Sequence, residues 1–127
     1  MFLDEFHVTV ASLTRELALV SVSGELDLHT AERVKRGIGE ADAVGADTVV
    51  IDLSEISFID STALGVLVQS TKRLEGRDHS LVLVTNDPRT RRVLEVTGLD
   101  RVLLTYATLH DALSDLMPAR AVAAGGR

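Results

Sequence analysis

Residues 5–12 alternate, with Phe6, Val8 and Val10 set against His7 and Thr9. Period two predicts a half-buried strand at the edge of a sheet. Thr14-Arg15 makes a short connection, and Leu17 to Ser23, richer in Leu and Val, reads as a second and more central strand. So short a link favours an antiparallel pair. Gly24-Glu25-Leu26-Asp27 ends that strand. Leu28-His29-Thr30 then leads into a helix, with Thr30 as N-cap and Ala31, Val34 and Ile38 as its apolar stripe. The helix fades between Gly39 and Ala43, and Gly45 marks the turn beyond it.

Thr48 to Leu53 is the next apolar strand. A polar connector, Ser54-Glu55, separates it from Ile56-Ser57-Phe58-Ile59, after which the chain reaches Asp60-Ser61-Thr62. Leu64, Leu67, Thr71 and Leu74 then recur at helical spacing. Asp60 and Ser61 are both good N-caps for this helix. Gly65 in its first turn costs about 1 kcal/mol relative to alanine; it either admits the close approach of a partner or packs closely against the sheet, the latter being the favoured reason. Leu64 reads as core, with Val66 and Val68 more open. Glu75 to Asp78 is a turn and Ser80 to Thr85 a strand. Asn86-Asp87-Pro88 starts a helix, with Asp87 as cap and Pro88 at the first helical position; Val93, Leu94 and Val96 line it, and Thr97-Gly98 ends it. Arg89, Arg91 and Arg92 read as its solvated face. Val102 to Leu104 is a short last strand. Thr108 caps a final helix with Leu109, Ala112, Leu113 and Leu116 on one face, and Pro118 stops it. Residues 118–127 read as a flexible tail.

Strands alternating with helices through short links imply right-handed crossovers and a largely parallel sheet. With the antiparallel start, the expected fold is α/β: one domain over residues 1–117 with a mixed, largely parallel sheet. The chain's 127 residues are 46% apolar but only 3% aromatic, without Trp. That suits an aliphatic sheet-and-helix core and argues against stacking platforms for single-stranded nucleic acid. A formal charge of −6 opposes direct binding to DNA or RNA. Cysteine is absent, which removes disulfides, thiolate nucleophiles and Cys-based metal sites. No apolar run approaches the ~18 residues that span a bilayer, and the N-terminus MFLDEFHV carries acids where a leader needs positive charge. A cytoplasmic protein without membrane insertion is expected.

Functional groups in open α/β sheets gather at the carboxyl ends of the strands. Gly24 to Asp27 and Asp60 to Thr62 both follow strands, so Asp27, Asp60, Ser61 and Thr62 are expected on one edge. Ser61 lacks the adjacent base that a nucleophilic serine needs. Of His7, His29, His79 and His110, only His29 lies near this edge, and nothing orients it. The serine also lacks a G-x-S-x-G elbow, no histidines stand at metal-ligand spacing, and Gly37-Ile38-Gly39 falls late in a helix rather than after a strand. The reading is therefore not an enzyme, with no cofactor and no metal of its own. A phosphorylation switch needs less: an exposed hydroxyl and an interface beside it.

The run Phe58-Ile59-Asp60-Ser61-Thr62-Ala63-Leu64-Gly65 resembles the phosphorylation-site segment of anti-sigma factor antagonists in the STAS domain family. Val22-Ser23-Gly24-Glu25-Leu26-Asp27 resembles that family's other recurring segment, in the right order and at the right separation. The resemblance covers residues 4 to 117 and implies the β-α STAS fold. It implies an unphosphorylated form that binds an anti-sigma factor and frees a sigma factor. The anti-sigma factor is often a serine kinase that inactivates the antagonist with ATP, and a PP2C-type phosphatase reverses this. The matching serine is Ser61. Asp27 corresponds to the aspartate associated with kinase recognition. Thr62-Ala63 departs from the family's frequent second serine and glycine, which leaves Thr62 as a second acceptor or a decoy, with Ser61 the expected site. The expected partner-facing set is Gly24, Asp27, Asp60, Ser61, Thr62 and Leu64. The rival readings are a STAS scaffold or signalling module outside sigma control, and a sensor of a small ligand.

Overall fold

Five strands form one sheet in the order β1-β2-β3-β4-β5. They are β1 (His7–Ser12), β2 (Leu17–Leu26), β3 (Thr48–Ile59), β4 (Ser80–Val84) and β5 (Leu104–Tyr106). The computed structural model describes residues 6–117, so the tail expected over 118–127 lies outside the described residues. Only β1 and β2 pair antiparallel; the other neighbours are parallel. The helices are α1 (Ala31–Ala43), α2 (Ser61–Glu75), α3 (Pro88–Thr97) and α4 (Leu109–Leu116), with a 3₁₀ turn at Leu99–Arg101. The mixed, largely parallel α/β fold expected from the alternation of elements is the one observed.

Strand alternation sorts the core into two faces. Val20, Val49, Ile51, Leu53 and Leu83 meet Val34 and Ile38 of α1, Leu67 and Leu74 of α2 and Leu94 of α3. Their odd-out neighbours Leu17, Val50 and Val84 turn to the other face, where Ala112 of α4 covers them. β1 is an edge strand, as its alternation predicts: Val8 and Val10 pack inward while His7 and Thr9 are exposed.

The polar pair Ser54-Glu55 is not a connector, because β3 runs unbroken from Thr48 to Ile59. The pairing with β2 jumps from Ser21↔Asp52 to Ser23↔Glu55, and from Gly24↔Ile56 to Glu25↔Phe58. Each jump leaves an extra residue on β3. Bulges of this kind break the in-out alternation without ending the strand. β2 likewise continues past Ser23 to Leu26, with Gly24 at φ 98°, a left-handed backbone that favours glycine. The pairing of β3 with β4 stops at Asp52↔Val84. Beyond that point β2 and β3 continue together, with β1 still paired to β2 as far as Ser23↔His7; from Gly24 to Leu26 the described residues form a two-stranded extension.

Elsewhere the shifts are smaller. The last strand starts at Leu104, after the 3₁₀ turn, rather than at Val102. Val96 is 71% exposed instead of lining α3, because it lies two residues, or roughly 200° of helix, from buried Leu94. At the sheet end away from the β2–β3 extension, buried Asp42 in the last turn of α1 meets Arg77 at 2.7 Å and His79 Nδ1 at 2.8 Å.

Gly37 marks a close approach: a Cβ there would lie 3.0 Å from Val8 Cγ1 and 3.4 Å from Val20 Cγ1. Gly39, on the same helix, would meet nothing within 4 Å. Gly37→Val is expected to destabilise the fold by about 1–3 kcal/mol through overpacking, whereas Gly39→Ala stabilises it by up to about 1 kcal/mol; urea unfolding of both variants checks the opposite signs. Ser70 Oγ is buried with no hydrogen-bond partner among the described residues. Ser70→Ala is expected to raise the urea midpoint, by about 1 kcal/mol of stability, since it removes an unsatisfied hydroxyl and leaves little space.

Candidate functional site

The β2–β3 extension brings the two sequence motifs side by side, with Leu26 paired to Ile59 at its end. There both chains turn away, and their last polar groups need new partners. Asp60 supplies them. Its N–H donates to the Leu26 carbonyl at 3.1 Å. One carboxylate oxygen, Oδ1, accepts from the Ala63 N–H at 3.0 Å and caps α2, while Oδ2 accepts from the Leu28 N–H at 3.0 Å. A single side chain thus starts a helix and holds a loop 32 residues earlier in the chain.

Of the two candidate caps, Asp60 takes the role and Ser61 becomes the first residue of α2. Ser61 and Thr62 are both exposed. Among the described residues, the Ser61 hydroxyl has no hydrogen-bond partner, and the first-turn bonds go to Ala63 and Leu64. The N–H groups of Ser61 and Thr62 are therefore open donors at a helix N-terminus, where the dipole favours negative charge.

Asp27 organises the turn into α1. Its Oδ1 accepts from the N–H groups of His29 at 2.9 Å and Thr30 at 3.2 Å, and its own N–H donates to Thr30 Oγ1 at 2.9 Å. Thr30, expected as the N-cap, makes no side-chain cap bond to the helix. Its hydroxyl turns back and donates to the Glu25 carbonyl at 2.7 Å. Thr30 has helical rather than extended backbone (φ −107°, ψ −13°), and its hydroxyl is already engaged by the Glu25 carbonyl and the Asp27 N–H, so it does not adopt the usual cap geometry. Asp27 and Ser61 each stand one residue from an end of the Leu28–Asp60 hydrogen bond.

Gly24, Asp27, Asp60, Ser61 and Thr62 thus gather at one sheet edge. Leu64 does not join them on the surface: it is 6% exposed and packs in the core beneath α2. It follows Ala63, also buried, on the helix face turned to the sheet. Sequence reasoning passed over two uncovered apolar side chains at this edge, Leu28 at 65% and Phe58 at 52% exposure. The signal was present in Leu28, an isolated apolar residue between Asp27 and His29.

Two grooves flank the end of β3, both touching Ser57. One of about 450 Å³ is lined by Gly24, Glu25, Asp27, His29 and Phe6. The other, of about 270 Å³, runs between Phe58, Ile59 and the start of α3 at Asp87, Arg89 and Val93. The Thr90 hydroxyl, donating to Asp87 at 2.9 Å, holds that carboxyl below its ordinary value of 3.8. Among the described residues no group of three or more His, Cys, Asp or Glu could hold a metal ion, and no helix is long and apolar enough to cross a membrane.

If Asp60 bonds both segments, Asp60→Ala loses a cap and a tertiary bond together, for about 1–3 kcal/mol. Asp60→Asn keeps one acceptor oxygen and is expected to fall between. Equal stability of Asp60→Asn and the unaltered chain in urea unfolding would remove the Leu28 bond from the account.

The STAS domain family model matches residues 9–112. Anti-sigma-F factor antagonist RsfB of Mycobacterium tuberculosis is 35% identical over 117 residues, 92% of this chain and 94% of that protein. The crystal structure of an anti-sigma factor antagonist from Mycobacterium paratuberculosis superposes with a TM-score of 0.80 at 35% identity, over 91% of this chain and 97% of that one. The Bacillus cell fate determinant SpoIIAA, solved in its phosphorylated form, superposes with a TM-score of 0.68 at 25% identity, over 87% and 99% of the chains. With both sequence motifs paired in one ladder and the family model spanning nearly every described element, this chain belongs to the STAS domain family.

Proposed function

We propose that this protein is an anti-sigma factor antagonist whose unphosphorylated form binds an anti-sigma factor and releases the sigma factor, and that phosphorylation of Ser61 turns the binding off. The observation that carries the reading is the state of Ser61. Its hydroxyl is exposed and unbonded because Asp60 has taken the capping role. The relatives named as anti-sigma factor antagonists, and the neighbour solved in a phosphorylated form, support the same role.

The transfer needs nothing from this chain but the hydroxyl. Ser61 Oγ forms a bond to the γ-phosphorus of ATP held by the anti-sigma kinase. The bond to the β-phosphate oxygen breaks, ADP leaves, and the hydroxyl proton passes to a base of the kinase. Hydrolysis by a PP2C-type phosphatase restores the serine. The phosphate brings about −1.5 to −2 charges. The open N–H groups of Ser61 and Thr62 and the dipole of α2 accept that charge, so the fold tolerates it. A partner seated over Leu28, Phe58 and Ser61 must instead desolvate it beside Asp27 and Asp60. Each factor of ten in affinity requires only about 1.4 kcal/mol. Asp27 acts in this scheme by fixing the loop against which a kinase reads Ser61, and Thr62 is the neighbouring acceptor that site mapping must separate from it.

Ser61→Asp is expected to weaken binding to the purified anti-sigma factors of the source organism by roughly tenfold or more. Ser61→Ala is expected to bind as the unaltered chain does and to gain no phosphate in intact-mass measurements with kinase and ATP. Undiminished binding by Ser61→Asp would sink the charge switch, and a phosphate mapped to Thr62 would move it.

A further inference from the structure

Gly65 stands one turn beyond Ser61 on the same face of α2, because residues four apart stack along a helix. Neither reason that usually keeps a glycine applies there. Left-handed backbone occurs at Gly24, Gly45 and Gly98 among the described glycines, and not at Gly65. Close packing against the sheet, the expectation from sequence, is also absent: a Cβ at Gly65 meets nothing within 4 Å. Gly37 shows the contrast, since its missing Cβ is what lets α1 lie against Val8. A glycine inside a helix is disfavoured relative to alanine, and this chain's own contacts do not offset that at position 65.

The surroundings point outward. Val68, one turn further on, is half-buried and belongs to neither core cluster. Leu28 and Phe58 stand uncovered at the adjoining strand ends. The nearest carboxylates, Asp27 and Asp60, are held in backbone hydrogen bonds. Beside the Ser61 hydroxyl and exposed Thr62, the surface thus includes bare helix backbone at Gly65 and the uncovered side chains of Leu28 and Phe58, a combination that suits close contact with a protein.

We propose that Gly65 is a contact residue for the anti-sigma factor: an apolar side chain of that partner lies flat on the α2 backbone at Gly65 while its active site reaches Ser61. This rests on the partner reading above and adds the residue that admits the partner. A Cβ at position 65 occupies space that this chain leaves empty and the partner fills. The residue is therefore kept for the complex, at the expense of the free protein.

Gly65→Ala separates the two states. It is expected to raise the thermal midpoint by about 3–6 °C and to weaken binding to the purified anti-sigma factor by roughly tenfold or more, as overpacked contacts do. Gly65→Leu weakens it further. Gly39→Ala is the control, because its Cβ also enters open space but on α1; it is expected to gain stability and leave binding unchanged. Binding by Gly65→Ala equal to that of the unaltered chain would overturn this proposal alone. A lowered midpoint for Gly65→Ala would overturn its premise of open space. No binding by the unaltered chain to any anti-sigma factor of its organism would overturn the partner reading and this inference with it.

Discussion

A parallel strand pair that outruns its neighbours must close its own end, and in this protein one carboxylate does so. β2 and β3 continue together after β4 has stopped pairing. At their end the chains depart in different directions, one into the loop before α1 and the other into α2. Asp60 bonds both departures, with one oxygen on Leu28 and the other on Ala63. The position of Ser61 relative to Asp27 follows from that arrangement rather than from any contact of Ser61 itself. Two hydrogen bonds to a charged acceptor are stronger than neutral ones, so the edge is held without spending the serine.

That division of labour explains how the molecule can carry a modifiable group at a helix start. Serine at such a position is usually the cap, its hydroxyl taken up by the first turn of the helix. Displaced by one residue, Ser61 keeps its hydroxyl out of the cap, so the phosphorylation proposed for it would leave α2 anchored through Asp60. The opposite sheet end is closed differently, by Asp42 with Arg77 and His79. There an acid in the last turn of a helix runs against the dipole, and the Arg77 guanidinium and a hydrogen bond with His79 Nδ1 offset this. The ion pair is buried on the Asp42 side and remote from the strand ends that carry the motifs.

Most of the fold was legible because period two and period 3.6 are strong signals in Leu- and Val-rich segments. The misreadings have physical causes. Ser54-Glu55 looked like a break because two bulges disturb alternation, and register shifts arise from the partner strand, which no local window contains. Asp60 and Ser61 looked equivalent as caps because their intrinsic preference is nearly the same; the Leu28 N–H, 32 residues away, decides between them. Thr30 lost its expected role because its hydroxyl turns back to the strand end, donating to the Glu25 carbonyl, a bond no local window reveals. At Gly65 close packing was favoured over the approach of a partner because sequence shows that a side chain is missing, not what it would have touched. The exposed side chain of Phe58 was hidden for a related reason: apolar residues in a strand pattern are taken as core until the fold shows otherwise, whereas Leu28, isolated between polar residues, carried a signal.

The two faces of the sheet are covered unequally, and this matters for motion. Among the described residues, α1, α2 and α3 share one large cluster, whereas the other face is covered by α4, with Ala112 as its one fully enclosed side chain and Leu109, Leu113 and Leu116 partly buried. Tyr106 helps by donating to Asp115, a bond that raises the phenol above its ordinary value. An eight-residue helix with so thin an attachment opens locally at a far lower free energy than the β2–β3 ladder. Its amides should exchange with solvent long before those of the central strands. Breathing is thus concentrated on the side of the sheet turned away from α2, and the motif edge keeps its shape while the far side comes and goes.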